Sequence, residues 1–153
     1  MVIRRATHTD VSEAIVLFKQ TVLYATTNDY NEAQRQAWAR KGANLTRWEN
    51  RINTQYFLVA EQTGHLVGFG SITTEGYLDV LYVHHNYQGK GVATGLLTQL
   101  ETWVTQRKLE CITTDASITA RPFFERHGYQ TVNKQENVLE GQVLVNFRME
   151  KRV

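Results

Sequence analysis

The chain changes period once, sharply, near its middle. Residues 77–83, Tyr-Leu-Asp-Val-Leu-Tyr-Val, read as a strand. Beyond them Val92, Leu96, Leu97, Leu100, Trp103 and Val104 recur at helical spacing and define the clearest helix in the chain. Between the two lies Val83-His84-His85-Asn86-Tyr87-Gln88-Gly89-Lys90-Gly91, with glycines at alternate positions where the helix opens. Glycine accepts positive φ and lets a ligand approach the backbone, and the first N–H groups of a helix lack internal acceptors. With the helix dipole, such a turn suits a phosphate or pyrophosphate. The same glycines also suit a bare strand-to-helix turn, and the local pattern leaves both readings open.

The rest of the chain frames this unit. Residues 2–6 are a short strand candidate, and Val11, Ala14, Ile15, Phe18, Val22 and Leu23 follow at helical spacing after a Thr9 or Asp10 cap. A weaker helix covers about residues 32–41 with Gly42 as its stop, and Trp48 with Ile52 marks another short one. Residues 56–60, 66–72 and 77–83 are strands joined at Thr63-Gly64 and Glu75-Gly76. After the central helix come a strand at 111–116, a short helix at 119–127 ending at Gly128, extended structure resuming at 129–132, and two last strands separated by Glu140-Gly141, the second at 142–149. Strand–helix–strand in the middle implies one parallel pair on an otherwise antiparallel sheet. No repeat or linker interrupts residues 1–153, which reads as one domain.

Composition narrows the function. Lys plus Arg number 17 against 15 Asp plus Glu, a balance of +2, too mild for a nucleic-acid or membrane-surface footprint. The single Cys111 permits neither an intramolecular disulfide nor a cysteine zinc framework, and lies in an apolar run that suits a core strand. No H-x-x-x-H or H-E-x-x-H spacing occurs among His84, His85, His127 and the others, so no metal is expected. The amino terminus has no apolar segment behind its basic residues, and the expectation is a soluble cytoplasmic protein. No stretch fits G-x-x-x-x-G-K-[ST]. G-x-G-x-x-G fails at Thr94, although Glu110 stands near a ribose-binding spacing, and too many strands precede the motif for a dinucleotide fold.

Gln88-Gly89-Lys90-Gly91-Val92-Ala93 resembles the Q/R-x-x-G-x-G/A signature of the GCN5-related N-acetyltransferase (GNAT) family, whose loop cradles the pyrophosphate of acetyl-coenzyme A. Residues 78–83 resemble the family's fourth strand, and residues 116–129, ending in Gly128-Tyr129, its fifth strand and following helix. The resemblance implies an α/β (α+β) GNAT fold. Its mixed, mostly antiparallel sheet has about seven strands, with a splayed parallel fourth–fifth pair and about four flanking helices. It implies acetyl-CoA as co-substrate, a backbone of Leu81, Tyr82 and Val83 that bonds the pantetheine arm, and N–H groups of Gln88, Gly89, Lys90, Gly91, Val92, Ala93 and Thr94 on the pyrophosphate. Lys90, Arg121 and Arg126 are candidate phosphate cations. Ser117 stands where many relatives carry a pantetheine-contacting Asn, and Phe124 where many carry the Tyr that protonates the departing thiolate.

Acetyl transfer to an amine requires removal of a proton, stabilisation of an oxyanion and departure of a thiolate. The resemblance implies an oxyanion donor at the Leu81 N–H. Asp79 is the expected base, since strand alternation puts its side chain on the same face as that of Leu81, with Glu75 next in line. In the family the first two helices line the acceptor cleft. Here that segment holds Tyr24, Tyr30 and Trp38, whose rings suit an amine through cation–π contact or a half-buried helix face equally. The expected activity is N-acetylation of a small-molecule amine, less readily a peptide, by direct transfer in a ternary complex, with a homodimer as a possible assembly. The alternative, made credible by Phe124, is a catalytically idle acyl-CoA-binding module on the same fold.

Overall fold

The computed structural model describes residues 1–153. In chain order the elements are β1 (Val2–Arg5), α1 (Val11–Ala25), α2 (Glu32–Gly42), α3 (Leu45–Thr54), β2 (Tyr56–Gln62), β3 (His65–Ile72), β4 (Tyr77–Val83), α4 (Val92–Gln106), β5 (Cys111–Ser117), α5 (Arg121–Arg126), β6 (Gln130–Leu139) and β7 (Gln142–Arg152). Each of α2 and α3 opens on an Asn whose side chain accepts an N–H of the first turn, from Gln34 and Arg47 respectively. All seven strands form one sheet in the order β1-β2-β3-β4-β5-β7-β6, and only β4 and β5 run parallel. None of the helices is long and apolar enough to cross a membrane.

Apolar side chains cover both faces of the sheet. On one, Leu96, Leu97, Leu100 and Val104 of α4 pack onto Leu58, Ile72, Leu78 and Ile112. On the other, α1 and α3 bring Phe18, Val22, Trp48 and Ile52 onto Phe57, Phe69 and Val80. Trp48 is fully buried, meets the rings of Phe18, Phe57 and Phe69, and donates its indole N–H to the Gly42 carbonyl at 2.7 Å.

The five helices fall on the five segments marked as helical, and two features differ from the sequence expectation. The segment after Gly128 is a ten-residue strand whose side chains are nearly all exposed, held by pairing along β7; with solvent on both sides it carries no hydrophobic alternation to read. Cys111 is half-buried at the start of β5, not in the core.

Two irregularities of β4 open the sheet and turn its side chains. First, β5 pairs with β4 only at Tyr77↔Thr113 and Leu78↔Thr114, where Thr114 Oγ1 donates to the Leu78 carbonyl at 2.9 Å. Beyond Leu78 the strands part, while β5 keeps its pairing with β7 from Cys111 to Ser117. Second, Ser71 pairs with Val80 and Ile72 with Leu78, which leaves Asp79 as the extra residue of a β-bulge. The bulge resets the alternation. Leu81 packs on the α4 side, whereas the Asp79 carboxylate reaches Arg51 of α3. The two side chains therefore do not share a face, contrary to simple alternation.

Candidate active site

The register of β3 and β4 decides which backbone groups face the gap. His84 N–H donates to the Val67 carbonyl at 2.8 Å, which makes that a hydrogen-bonded pair. In an antiparallel ladder such pairs alternate, so Phe69↔Tyr82 and Ser71↔Val80 are bonded too. The N–H and C=O groups of Leu81 and Val83 then point away from β3, into the space that β5 has left. The Val83 carbonyl already accepts Thr21 Oγ1 at 3.2 Å and Gln88 Nε2 at 2.7 Å, so Leu81 carries the open pair. Tyr82 is a correction: its backbone is committed to Phe69, and only its side chain reaches the site.

The gap opens into two clefts. One, of about 550 Å³, is lined by the end of α1, the turn from Tyr87 to Thr94 and the α5 segment with Phe123, Arg126 and His127. Gly89 and Gly91 hold φ of +72° and +86°, and a Cβ at either would meet nothing within 4 Å. Positive φ there is turn chemistry that glycine alone adopts freely. Gly91 caps α4, and the first inward bond is Gly95 N–H to the Gly91 carbonyl at 3.0 Å. The N–H groups of Val92, Ala93 and Thr94 are thus free of intrahelical acceptors while the Val92 side chain is anchored in the core. An open surface over two glycines, free amides and a helix N-terminus fits a pyrophosphate.

The candidate cations divide. Arg126 lines this cleft. Lys90 does not, and its Nζ lies 5.4 Å from the Tyr87 ring centroid. Arg121 is turned away as well, stacked 4.1 Å from the Phe147 ring centroid and 3.6 Å from Glu125. His127, not anticipated as a site residue, also faces the cleft, with Nδ1 at 2.9 Å from the Phe123 carbonyl and Nε2 at 3.4 Å from Thr94 Oγ1.

The second cleft, of about 340 Å³, lies between α2, α3 and the sheet and takes in Trp38, Arg51, Asp79, Asp115 and Asn146. Asp79 Oδ2 accepts Arg51 Nε at 2.9 Å and Gln55 Nε2 at 2.8 Å, and Gln55 Oε1 in turn accepts the buried Ser71 hydroxyl at 2.6 Å. Asp79 Oδ1 accepts no hydrogen bond. On the opposite wall Asp115 is neutralised by Arg148 at 2.8 Å and accepts the Tyr77 hydroxyl at 2.7 Å. Burial, and then Asp115, push the Tyr77 phenol well above its usual range. Burial pushes that of Tyr82 up to about 12 against the opposing charge of Arg51, so both remain neutral donors.

Trp38, Leu81, Tyr82, Ser117, Ala120 and Phe124 line both clefts, so the two meet at the mouth of the splay. Ser117 Oγ accepts the Ala120 N–H at 3.0 Å and caps the turn into α5. Phe124 is 3% exposed and packs edge-on against Tyr129, an apolar wall with no proton to give.

The aromatic candidates fare unequally. Trp38 lines the junction. Tyr30 borders the second cleft, but its hydroxyl donates to the Val145 carbonyl at 2.6 Å and accepts the Ile118 N–H at 2.9 Å. Tyr30 clamps the turn after β5 to β7, its one hydroxyl proton committed. Tyr24 is a correction: it is 61% exposed, meets the His85 ring at a tilt of 53° and lines neither cleft. Arg51 was missed. It stands three residues after Trp48 and beside Ile52, a charge on the apolar face of α3, and that misplaced charge was the signal.

Comparisons with known proteins identify the family and the fold. The family model for the acetyltransferase (GNAT) domain matches residues 26–151. The chain is 35% identical over 140 residues to the uncharacterized N-acetyltransferase YafP of Escherichia coli, covering 92% of this chain and 88% of that one. It superposes on a GCN5-related N-acetyltransferase of Rhodopseudomonas palustris with a TM-score of 0.94 at 31% identity, over 99% of this chain and 95% of that one. The PaiA N-acetyltransferase of Thermoplasma acidophilum, solved in complex with coenzyme A, shares the fold with a TM-score of 0.81 at 19% identity, over 99% and 98%. The chain belongs to the GNAT family of N-acetyltransferases.

Proposed function

We propose that the protein transfers the acetyl group of acetyl-CoA to the primary amine of a small molecule, directly, in a ternary complex. The observation that carries this reading is the junction of two separate clefts at the β4/β5 splay, with the free Leu81 amide between them. The coenzyme supplies an acetyl group activated as a thioester. Val92, Ala93 and Thr94 offer amides to its pyrophosphate, with Gly89 and Gly91 admitting it, and Arg126 is the nearby cation. Leu81 N–H is the proposed oxyanion donor. Asp79 is the proposed base through Oδ1, the carboxylate oxygen that Arg51 and Gln55 leave free. Phe124 gives the thiolate no proton, so we assign that proton to solvent. The lone Cys111 supports a cytoplasmic setting.

Thiol release from acetyl-CoA across a panel of primary amines tests the proposal. The expected result is release that depends on both substrates and gives intersecting double-reciprocal plots. Coenzyme binding without release for any amine contradicts catalysis and leaves the acyl-CoA-binding module that the apolar Phe124 favours.

A further inference from the structure

The acceptor cleft holds more positive charge than its carboxylates consume. Asp115 is matched by Arg148, which stands outside the cleft lining, and Asp79 by Arg51 Nε. Arg51 is 8% exposed, and its two terminal NH₂ groups make no hydrogen bond within the protein while keeping contact with solvent in the cleft. Donors left uncommitted at a cleft wall are free to meet an acceptor group that enters. The group is also fixed in place: Nε is tied to Asp79, and the guanidinium lies 4.6 Å from the ring centroid of Trp48, itself locked by three aromatic neighbours. Lys41 and Arg47 line the same cleft, and neither forms an ion pair. None of the three lines the coenzyme cleft, so its phosphates do not account for them.

We infer that the acceptor carries an anionic group, a carboxylate or a phosphate-type acid, seated on the terminal NH₂ groups of Arg51 with Lys41 and Arg47 drawing it in. This inference rests on the acetyl-transfer reading. A planar guanidinium with both ends free matches a two-oxygen acid in fork geometry. Beside it, the open Asp79 Oδ1 is a partner for an ammonium. The Arg51–Asp79 pair thus presents donors for an acid and an acceptor for an amine side by side, the pattern of a zwitterion such as an amino acid. Lys41 and Arg47 are exposed, and their contribution is attraction rather than fixed bonding.

The test compares acceptors that differ only in the acid. Amino acids of increasing amine-to-acid separation, aminoalkyl phosphonates of the same lengths, and the uncharged carboxamides of the former are assayed by thiol release. Their binding to the protein–CoA complex is followed in parallel by thermal melting. One member of the acidic series should exceed its carboxamide by about 10–100-fold in kcat/KM, mainly through KM, as expected for losing a charge-assisted hydrogen bond. Whether that member is a carboxylate or a phosphonate identifies the acid. Arg51→Lys, which keeps the charge but not the fork, should remove most of the preference while acetyl-CoA still raises the melting temperature. Lys41→Gln with Arg47→Gln should weaken the acidic acceptor and spare its carboxamide. Equal treatment of acids and carboxamides, or no binding of any acid, overturns the inference; transfer to an uncharged amine would then leave the acetyl-transfer reading standing. Loss of the acetyl-CoA shift in wild-type protein would strike that reading instead.

Discussion

Asp79→Asn is expected to lower kcat by about 10²–10⁴, the usual worth of general base catalysis, and to leave acetyl-CoA affinity within a few-fold. The separation of effects follows from the geometry. Asp79 lines the acceptor cleft and not the coenzyme cleft, with Oδ2 bound by Arg51 and Gln55 and Oδ1 open. Asn preserves the shape and can still accept one bond from that pair, but it cannot take a proton. The substitution also leaves the Arg51 charge without its carboxylate, so folding is checked by the melting temperature without ligand. A pH–rate profile measured alongside should lose its acidic limb. Wild-type kcat with that limb intact would show that Asp79 is not the base, and Glu75 or prior deprotonation in solution would take its place.

Gly91→Val is expected to abolish stabilisation by acetyl-CoA. At about 100 times Kd a ligand adds roughly 2.7 kcal/mol, and at about 2–4 °C per kcal/mol this is a shift of several degrees. Gly91 holds φ of +86°, a conformation a β-branched residue resists, and it is the N-cap of α4. A Cβ there meets nothing within 4 Å, so the added side chain should project into the open space over the amides of the helix start rather than into the core. The free protein should lose modest stability from backbone strain, and the ligand-induced shift should vanish. An unchanged shift would remove the loop from the coenzyme site.

How much of the molecule is readable in its sequence depends on which forces are local. The change of period at Gly89 and Gly91, and the strand and helix on either side, depend on neighbours along the chain, and they appear in the structure as β4 and α4. The splay was implied by the family resemblance, but its position after Leu78, where β5 leaves β4 while keeping its β7 ladder on the other edge, depends on contacts between elements remote in sequence. The bulge at Asp79 was not legible. It depends on β3 register and on the Ser71–Gln55–Asp79 chain of hydrogen bonds, which joins residues remote in sequence. For the same reason strand alternation misplaced Asp79 relative to Leu81. Tyr24 and Tyr30 looked alike in composition, yet one faces solvent and the other clamps Ile118 to Val145. Edge strand β6 is mostly polar, and only its partner makes it a strand.

The central claim is that the coenzyme occupies the β4/β5 gap with its pyrophosphate on the start of α4. Residue-resolved amide hydrogen exchange with and without saturating acetyl-CoA tests it most directly. Leu81, whose N–H faces the gap, and Val92, Ala93 and Thr94, whose N–H groups lack intrahelical acceptors, should exchange much more slowly with the ligand bound. Tyr82, already bonded to Phe69, should change far less. Protection that appears elsewhere and spares Leu81 and residues 92–94 would contradict the account.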